Sequence, residues 1–412
     1  MVELNIINEI DKLEAVLVHE PGKEVENMSP TIAERALYSD ILNLSIAKKE
    51  FSQFKGILES CTNVFEIKPL LKAALKHSKA IELLRGKMQM LLPLYEVDKI
   101  IESSTSDELA YKLICGIEYP RNTLVNFLQE ERFMLNPLHN IFYTRDASFI
   151  FTKSVYKSQM AKKVRQLEPV IMELVFKYSG EFKCDVVDIE NNESHNTSFE
   201  GGDIIAASKE VVIIGMGSRS TAKGIDKLIR TIACRTDLKH VIIQELPDTP
   251  ESFIHLDMVF TIIDTDTCVI YEPLIMRSDK YKTIQIDVDE GEVTAIKSIS
   301  NIIEGLKKLN IDLRPVYCGG GKELVQEREQ WHSGANFFAI DQGKIIGYER
   351  NEQTSEELSK IGFEVIPASR FIQDKLRIED FNKCLITISG SELARGGGGA
   401  RCMTMPLNRR NK

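Results

Sequence analysis

The sequence predicts a mixed α/β fold built from a repeated strand, turn, strand and helix, with one helical insertion. Apolar runs joined by tight turns begin near residues 203, 258 and 336, at uneven spacing. Uneven spacing argues against a solenoid with a fixed period. Units that cannot bury their own apolar faces can pack around a common axis, leaving a central site lined by the loops between them.

Each element follows from local patterning. Residues 13–19 (LEAVLVH) form an apolar run closed by a Pro-Gly turn, which predicts the first strand, and residues 29–60 show helical spacing. Alternation of apolar runs and polar turns predicts the later units. They comprise strands at 203–207 and 211–215 with a helix after them, strands at 258–263 and 268–271, and strands at 336–340 and 344–348 with a helix at 354–361 and a strand at 363–366.

Residues 70–120 have a different texture. They contain leucine-rich helical segments and almost no strand signal, which predicts an inserted helical subdomain. Residues 1–69 and 121–412 are then expected to form the catalytic α/β part.

Composition excludes several classes of protein. The 412 residues include 43% hydrophobic and 27% charged residues, which is typical of a globular protein and not of a disordered or fibrous one. The formal net charge of −9 and the lack of a long basic block argue against nucleic-acid binding. No stretch approaches a membrane span or a signal peptide, and the eight cysteines include no CxxC pair. A cytoplasmic protein with reduced thiols and no membrane partner is therefore expected.

Common cofactor and metal motifs match poorly. Residues 215–220 (GMGSRS) approach a dinucleotide-binding turn but place Ser220 where Gly or Ala is usual, so a strand-to-helix turn is the simpler interpretation. The glycines at 396–399 lack the Lys and Ser/Thr of a phosphate-binding loop. The seven histidines show neither HExxH nor another ligand spacing, so the sequence predicts no metal.

Four polar clusters lie at the ends of apolar runs, where side chains must be either satisfied or functional. A cysteine, a histidine and several carboxylates on such loops could supply a nucleophile, a proton carrier and acceptors for a cationic substrate. Singly, each cluster has a structural alternative: a turn, a surface hydrogen bond or a flexible tail. The clusters are residues 140–146 (NIFYTRD), 199–203 (FEGGD), 253–257 (FIHLD) and 395–402 (RGGGGARC).

Several of these motifs, in this order, are similar to those of the arginine deiminases, within the wider guanidine-modifying, amidinotransferase-like superfamily. The resemblance covers nearly the whole chain. It implies a pseudo-symmetric five-unit ββαβ propeller with an inserted helical domain, using no metal and no organic cofactor. The motifs are KLEAVLVHEPG, NIFYTRD, FEGGD, HLDMVFTIID, REQWHSGANFFAI, GYERN and SELARGGGGARCMTMPL.

The resemblance also implies roles for individual residues. Cys402 resembles the nucleophile, His255 the general acid and base, and Glu200 the carboxylate beside that histidine. Asp146 and Asp257 resemble the pair that binds the guanidinium group. The remaining implied residues bind or support the substrate: Asn140, Arg165 and Arg219 at its α-carboxylate, and Asp203 behind the catalytic groups.

The implied reaction is hydrolysis of L-arginine to L-citrulline and ammonia by a hydrolase acting on linear amidines. A planar guanidinium requires aligned carboxylates, and its carbon is a poor electrophile that favours attack by a thiolate. A cation near Cys402 would itself stabilise the thiolate. A homodimer and a part in arginine catabolism are further expectations from the resemblance.

One departure from the family pattern concerns substrate choice. Many members carry a second arginine within the glycine run, whereas here Arg395 precedes four glycines and Arg401 directly precedes Cys402. Whether Arg401 contacts the substrate carboxylate or only tunes Cys402 stays open. The alternatives are an arginine dihydrolase, an amidinotransferase, a non-catalytic arginine-binding protein, and a nucleotide-dependent oxidoreductase built on Gly215 to Ser220.

Overall fold

The computed structural model describes residues 1–28, 40–189, 197–277 and 280–410. Helices and strands alternate along most of these residues, so the chain has the mixed α/β fold that was expected. Within these ranges, no helix combines the length and the apolar character that crossing a lipid bilayer requires.

The two ends of the chain meet in one sheet. The strand Lys12–Val18 pairs antiparallel with Met405–Arg410 and parallel with Asn63–Glu66. The helix Leu44–Cys61 connects the two parallel strands, because parallel neighbours need a crossover connection. Of the helix expected at 29–60, residues 29–39 lie outside the described ranges. Met405–Arg410, Lys12–Val18 and Asn63–Glu66 therefore form one three-stranded unit that joins the two ends of the chain.

Four more sheets repeat this arrangement, with an antiparallel pair followed by a strand parallel to the second member. The three units expected from the sequence are among them. The strands are Ser148–Phe151, Ser154–Lys157 and Asp185–Val187; Ile204–Ser208, Val211–Met216 and His240–Glu245; Phe260–Asp264, Thr267–Ile270 and Arg314–Tyr317; and Phe338–Asp341, Lys344–Tyr348 and Cys384–Ile388.

Helices connect the strands of these sheets, and further strands extend two of them. Thr283–Asp289 and Glu292–Ile299 extend the sheet of Val211–Met216, and Glu364–Pro367 extends the sheet of Cys384–Ile388. The connecting helices are Glu168–Tyr178, Ala222–Ala233, Ile302–Lys308, Glu352–Lys360 and Ala368–Gln373, and the helix Glu323–Trp331 precedes the last of the four sheets.

Helices dominate the segment that the leucine-rich pattern marks. Ile67–Ala74 and Ser78–Met88 pack on the helix Glu168–Tyr178, and the segment shares the apolar core of that helix, in which Leu84 and Leu113 are fully buried. A capping box at Thr105 and Glu108 begins one of them. The helices are Ile67–Ala74, Ser78–Met88, Leu94–Glu102 and Ser106–Cys115, with the short helix Leu124–Phe127 beyond them.

Candidate active site

The predicted catalytic residues lie on loops that immediately precede the first strand of a sheet. Asp146 precedes Ser148–Phe151, and Cys402 precedes Met405–Arg410. Two short 3₁₀ turns, Gly201–Asp203 and Leu256–Met258, precede the strands that begin at 204 and 260. Loops from four different sheets therefore meet, although they are far apart in sequence.

Glycine makes this close approach possible. A Cβ atom on Gly202 would lie 2.6 Å from His255 Nδ1 and 2.9 Å from Asp146 Oδ1. Any side chain at this position would displace one of the two groups. The Gly-Gly pair of the FEGGD motif is thus required by the packing of the site.

His255 and Glu200 form a buried ion pair. Glu200 Oε2 lies 2.9 Å from His255 Nε2, and Glu200 Oε1 accepts a hydrogen bond of 3.0 Å from the backbone N–H of Ala161. Burial would raise the pKa of Glu200, but Arg219, His255 and Arg165 lower it to about 2. Burial would lower the pKa of His255, but Asp146 and Glu200 raise it to about 9. At neutral pH His255 is an imidazolium that can donate a proton.

Cys402 lies beside Asp257 in the interior. Its Sγ is 3.7 Å from Asp257 Oδ2, and the residue is only 3% exposed. Burial raises the pKa of the Cys402 thiol well above its usual value, and the negative charges of Asp257 and Asp146 raise it further. In this state the sulfur is a thiol, and an added positive charge in the site would favour the thiolate.

Two opposite charges face the site with unused hydrogen-bonding atoms. Asp146 Oδ1 and Arg219 Nη1 are buried and have no hydrogen-bond partner among the described residues. The other Asp146 oxygen, Oδ2, accepts a hydrogen bond of 2.8 Å from Arg165 Nη1, and Arg219 Nη1 lies 3.6 Å from Glu200 Oε2. Asp146 Oδ1 has a longer contact of 3.6 Å with His255 Nδ1. Both atoms can therefore still form a hydrogen bond, which suits a ligand that carries both a cationic and an anionic group.

A small cavity joins these groups. Its volume is only about 20 Å³, which is room for about one water molecule. A ligand the size of an amino acid can therefore enter only if lining side chains move. The lining comprises Asn140, Tyr143, Asp146, Arg165, Arg219, Ile254, His255, Gly396, Gly397, Gly398 and Cys402.

Arg401 and Asp203 lie behind the cavity instead of lining it. Arg401 Nη1 donates a hydrogen bond of 2.8 Å to Asp257 Oδ2, and Arg401 Nη2 donates one of 3.1 Å to Glu9 Oε1. Asp203 accepts hydrogen bonds from Ser220 Oγ at 2.5 Å and from the backbone N–H of Leu256 at 2.9 Å. Burial raises the pKa of Asp203 to about 7. In this structure Arg401 therefore pairs with Asp257 and Glu9 and does not line the cavity.

The sequence analysis did not single out three residues that the structure places at the site. Tyr143 accepts a hydrogen bond of 3.1 Å from the backbone N–H of Gly398, and Asn336 contacts Cys402 Sγ. Glu9, at the chain's beginning, pairs with the buried Arg401. Tyr143 and Asn336 belong to two of the recognised motifs, and that was the signal available for them. Glu9 belongs to no recognised motif.

One group of residues has the geometry of a metal site. Ligand atoms of Asp146, Glu200 and His255 all lie within 4.8 Å of one another. The guanidinium groups of Arg165 and Arg219 already lie against these carboxylates. A divalent cation would have to bind beside two positive charges, so the residues present fit a metal poorly. The residues 215–220 form a strand end and turn whose Ser220 supports Asp203.

Comparisons with known proteins find arginine deiminases of similar sequence. An arginine deiminase of Listeria monocytogenes serotype 4b is 31% identical over 425 residues, covering 99% of this chain and 98% of that protein. An arginine deiminase of Clostridium perfringens is 29% identical, with 98% of each chain covered.

Solved structures share the fold. The N-terminal domain of ArgZ bound to product, an arginine dihydrolase of cyanobacteria, aligns with a TM-score of 0.54 and 14% identity, covering 97% of this chain and 98% of that one. SxtG, an amidinotransferase from Microseira wollei, aligns with a TM-score of 0.53 and 14% identity, covering 99% and 98%. The family model for arginine deiminase matches residues 34–409. The chain therefore belongs to the arginine deiminase family.

Proposed function

We propose that the protein hydrolyses L-arginine to L-citrulline and ammonia through a covalent thiouronium intermediate on Cys402. One observation carries this proposal: the cavity beside Cys402 is lined by Asp146 and Arg219, whose buried Oδ1 and Nη1 atoms have no hydrogen-bond partner among the described residues. Free arginine carries a guanidinium group at one end and a carboxylate at the other. Its two ends match these two atoms in charge.

Substrate binding requires exchange of ion pairs. Asp146 is engaged by Arg165 at 2.8 Å, and Asp257 is engaged by Arg401 at 2.8 Å. The substrate guanidinium donates to Asp146 Oδ1 and shares Asp257 with Arg401. Arg219, with Arg165 and Asn140 beside it, takes the α-carboxylate. Charge-assisted bonds at both ends orient the guanidinium carbon toward Cys402 Sγ.

Binding also activates the nucleophile. The thiol of Cys402 faces two carboxylates, which disfavour the thiolate in the empty site. A bound guanidinium cation offsets those negative charges and lowers the free energy of the thiolate, and the thiol proton passes to solvent. Activation is therefore coupled to the presence of a cationic substrate. This coupling protects the sulfur from side reactions between turnovers.

The first half of the reaction forms the adduct. The Cys402 thiolate forms a C–S bond to the guanidinium carbon, and the carbon becomes tetrahedral. His255 gives its proton to the departing nitrogen, the C–N bond breaks, and ammonia leaves. A positively charged S-alkylthiouronium remains on Cys402. His255, paired with Glu200, is now a neutral base.

The second half releases citrulline. Neutral His255 takes a proton from a water molecule as the water oxygen attacks the thiouronium carbon. The C–S bond then breaks, the remaining hydroxyl proton passes to the departing sulfur, which becomes a thiol again, and the new C–O bond becomes the ureido carbonyl of citrulline. His255 is again an imidazolium, so both catalytic groups are reset.

Product analysis tests this proposal. Purified protein incubated with L-arginine should yield citrulline and ammonia in equal amounts. Cys402→Ala should lower the rate by at least about 10⁴-fold, because no other group can form the adduct. The matched control is Cys268→Ala, since Cys268 is equally buried but lies in the strand Thr267–Ile270. That variant should retain wild-type turnover.

Other outcomes point to other activities. Ornithine with two equivalents of ammonia would indicate a dihydrolase. Product that forms only with an added amine acceptor would indicate an amidinotransferase. Arginine binding without any product in the wild type would leave a binding protein. Equal citrulline from Cys402→Ala and the wild type would rule out the covalent route.

We further propose that the five ββαβ units are arranged as a pseudo-symmetric propeller around the site. Two observations support this proposal. Each of the five sheets contains an antiparallel pair and a third strand parallel to the second member of that pair, and the first strand of each sheet follows a loop that carries a residue of the site. Residues 70–120 are proposed as a helical subdomain inserted between 1–69 and 121–412. The homodimer stays a prediction.

A further inference from the structure

Five sheets share the same three-strand order, but the predicted catalytic residues come from the loops before the first strands of only four of them. The fifth such loop precedes the strand Phe338–Asp341, and it carries Asn336. Asn336 is 1% exposed, and its Nδ2 lies 3.2 Å from Cys402 Sγ. The loop before the first strand of the fifth sheet therefore also supplies a polar side chain to the site.

The orientation of the Asn336 amide is determined by its neighbours. Its Oδ1 accepts hydrogen bonds from the backbone N–H groups of Arg401 at 2.9 Å and Cys402 at 3.4 Å. These donors require an oxygen at that position, so the nitrogen must face the other side. There Nδ2 donates to the carbonyl of Asp257 at 3.0 Å and faces Cys402 Sγ.

We propose that Asn336 is a catalytic residue whose amide nitrogen donates a hydrogen bond to the Cys402 thiolate. The inference rests on the proposed role of Cys402 as nucleophile. One half of the amide holds the nucleophile loop through its backbone, and the other half contacts the reacting sulfur. Asn336 thereby couples the position of Cys402 to that of Asp257.

An amide suits this position better than a cationic side chain. The thiolate needs stabilisation because Asp257 and Asp146 lie close to it. A lysine or arginine at Sγ would stabilise it but would also repel the substrate guanidinium. A neutral donor stabilises the developing negative charge and leaves the carboxylates available to the substrate.

The backbone around Asn336 is fixed. Its N–H donates a hydrogen bond of 3.0 Å to the carbonyl of Ser333, and Thr261 Oγ1 donates one of 2.6 Å to the carbonyl of Ala335. A Cβ on Gly399 would lie 2.5 Å from Asn336 Oδ1, so the nucleophile loop packs directly on the amide. A donor held this rigidly loses little entropy when the thiolate forms.

Asn336→Asp separates the two halves of the amide. It keeps an acceptor for the Arg401 and Cys402 N–H groups but replaces the donor with a second acid against Sγ. Asn336→Ala removes both halves and serves as the second variant. The matched control is Asn351→Asp, because Asn351 is 2% exposed and donates to the carbonyl of His332, away from Cys402.

The measurement is the rate of Cys402 alkylation by iodoacetamide between pH 6 and 10, where the rate follows the small thiolate fraction. Trypsin cleavage after Arg401 releases a peptide that begins at Cys402, so mass spectrometry follows this cysteine among the eight. Both Asn336 variants should raise the pKa of Cys402 and so lower this rate about 10- to 100-fold, since one hydrogen bond to a charged group changes an equilibrium by about that factor. kcat should fall by a similar factor with KM changed much less. Asn351→Asp should match the wild type.

A folded Asn336 variant with the wild-type pH profile of Cys402 alkylation would overturn the inference. Alkylation needs no turnover, so the two proposals can fail separately. If the wild type makes citrulline and the Cys402 pKa does not move, only the role of Asn336 is lost. If the pKa moves and no citrulline forms, the proposed hydrolysis is lost while the hydrogen bond to sulfur stands.

Discussion

The candidate active site and the core of the helical segment are both buried, but they are built from opposite kinds of residue. Glu200 and Asp257 at the centre are fully buried charged groups, whereas Leu84 and Leu113 in the helical segment are fully buried apolar ones. Burying apolar surface drives folding, while burying charges costs free energy that pairing only partly recovers. The buried charges therefore suit the site to binding and chemistry, whereas the buried apolar residues stabilise the helical segment.

In this comparison the largest effect is expected from removing a charge at the site. Glu200→Gln removes one of the two carboxylates that keep His255 protonated, so turnover should fall about 10²- to 10⁴-fold. The alkaline limb of the pH–rate profile should also move to lower pH. Citrulline production measured from pH 5 to 10 tests both expectations.

Glu173→Gln is the matched control for this change. Glu173 is also a buried carboxylate, but it pairs with Lys157 and Lys177 away from the cavity. It should lower stability and leave kcat near the wild-type value. Equal losses of turnover in the two variants would mean that buried charge in general, and not the centre, controls activity.

The reverse behaviour is expected in the helical segment. Leu113→Ala should lower the free energy of unfolding by about 2–5 kcal/mol, because it leaves a cavity in a packed core. The folded variant should keep its kcat within about twofold. Urea denaturation and activity below the transition test this. Leu94→Ala, at an exposed position of the same segment, should be nearly neutral. A large loss of kcat in folded Leu113→Ala would show that the segment takes part in catalysis.

A smaller effect is expected from pH. The pKa of His255 is raised to about 9, so its stabilisation is present below about pH 6.5 and is lost as pH rises through 9. The raised pKa of Asp203, about 7, acts in the same direction, with its contribution lost as pH rises through 7. The free energy of unfolding should fall on the order of 3 kcal/mol between pH 6.5 and 9. Denaturation at several pH values measures it, and His255→Asn should flatten the slope. A wild type with pH-independent stability in this window would contradict the assigned pKa values.

Much of the fold could be predicted because it depends on local patterns. The paired apolar runs beginning near 203, 258 and 336 and the leucine-rich segment after residue 70 all produced the expected elements. The pairing of the two chain ends could not be predicted in this way. Lys12–Val18 and Met405–Arg410 meet through long-range contacts, which no local periodicity encodes.

The motifs predicted which residues form the site, and the structure shows how those residues contact one another. Cys402, His255 and Glu200 could be named because each belongs to a motif. The position of Arg401 could not, since the sequence does not tell whether a guanidinium faces a substrate or a buried carboxylate. Its partners, Glu9 and Asp257, come from two distant loops.

The sequence by itself determined which residue types are present, the mixed α/β pattern and the family motifs that mark the chemistry. The tertiary structure decided how those residues interact. It paired Asp146 with Arg165 and Asp257 with Arg401, and it turned the amide of Asn336 toward the sulfur of Cys402. The physical reason is that pKa values and hydrogen bonds depend on distances of a few ångströms between groups, and only packing of the five sheets sets those distances.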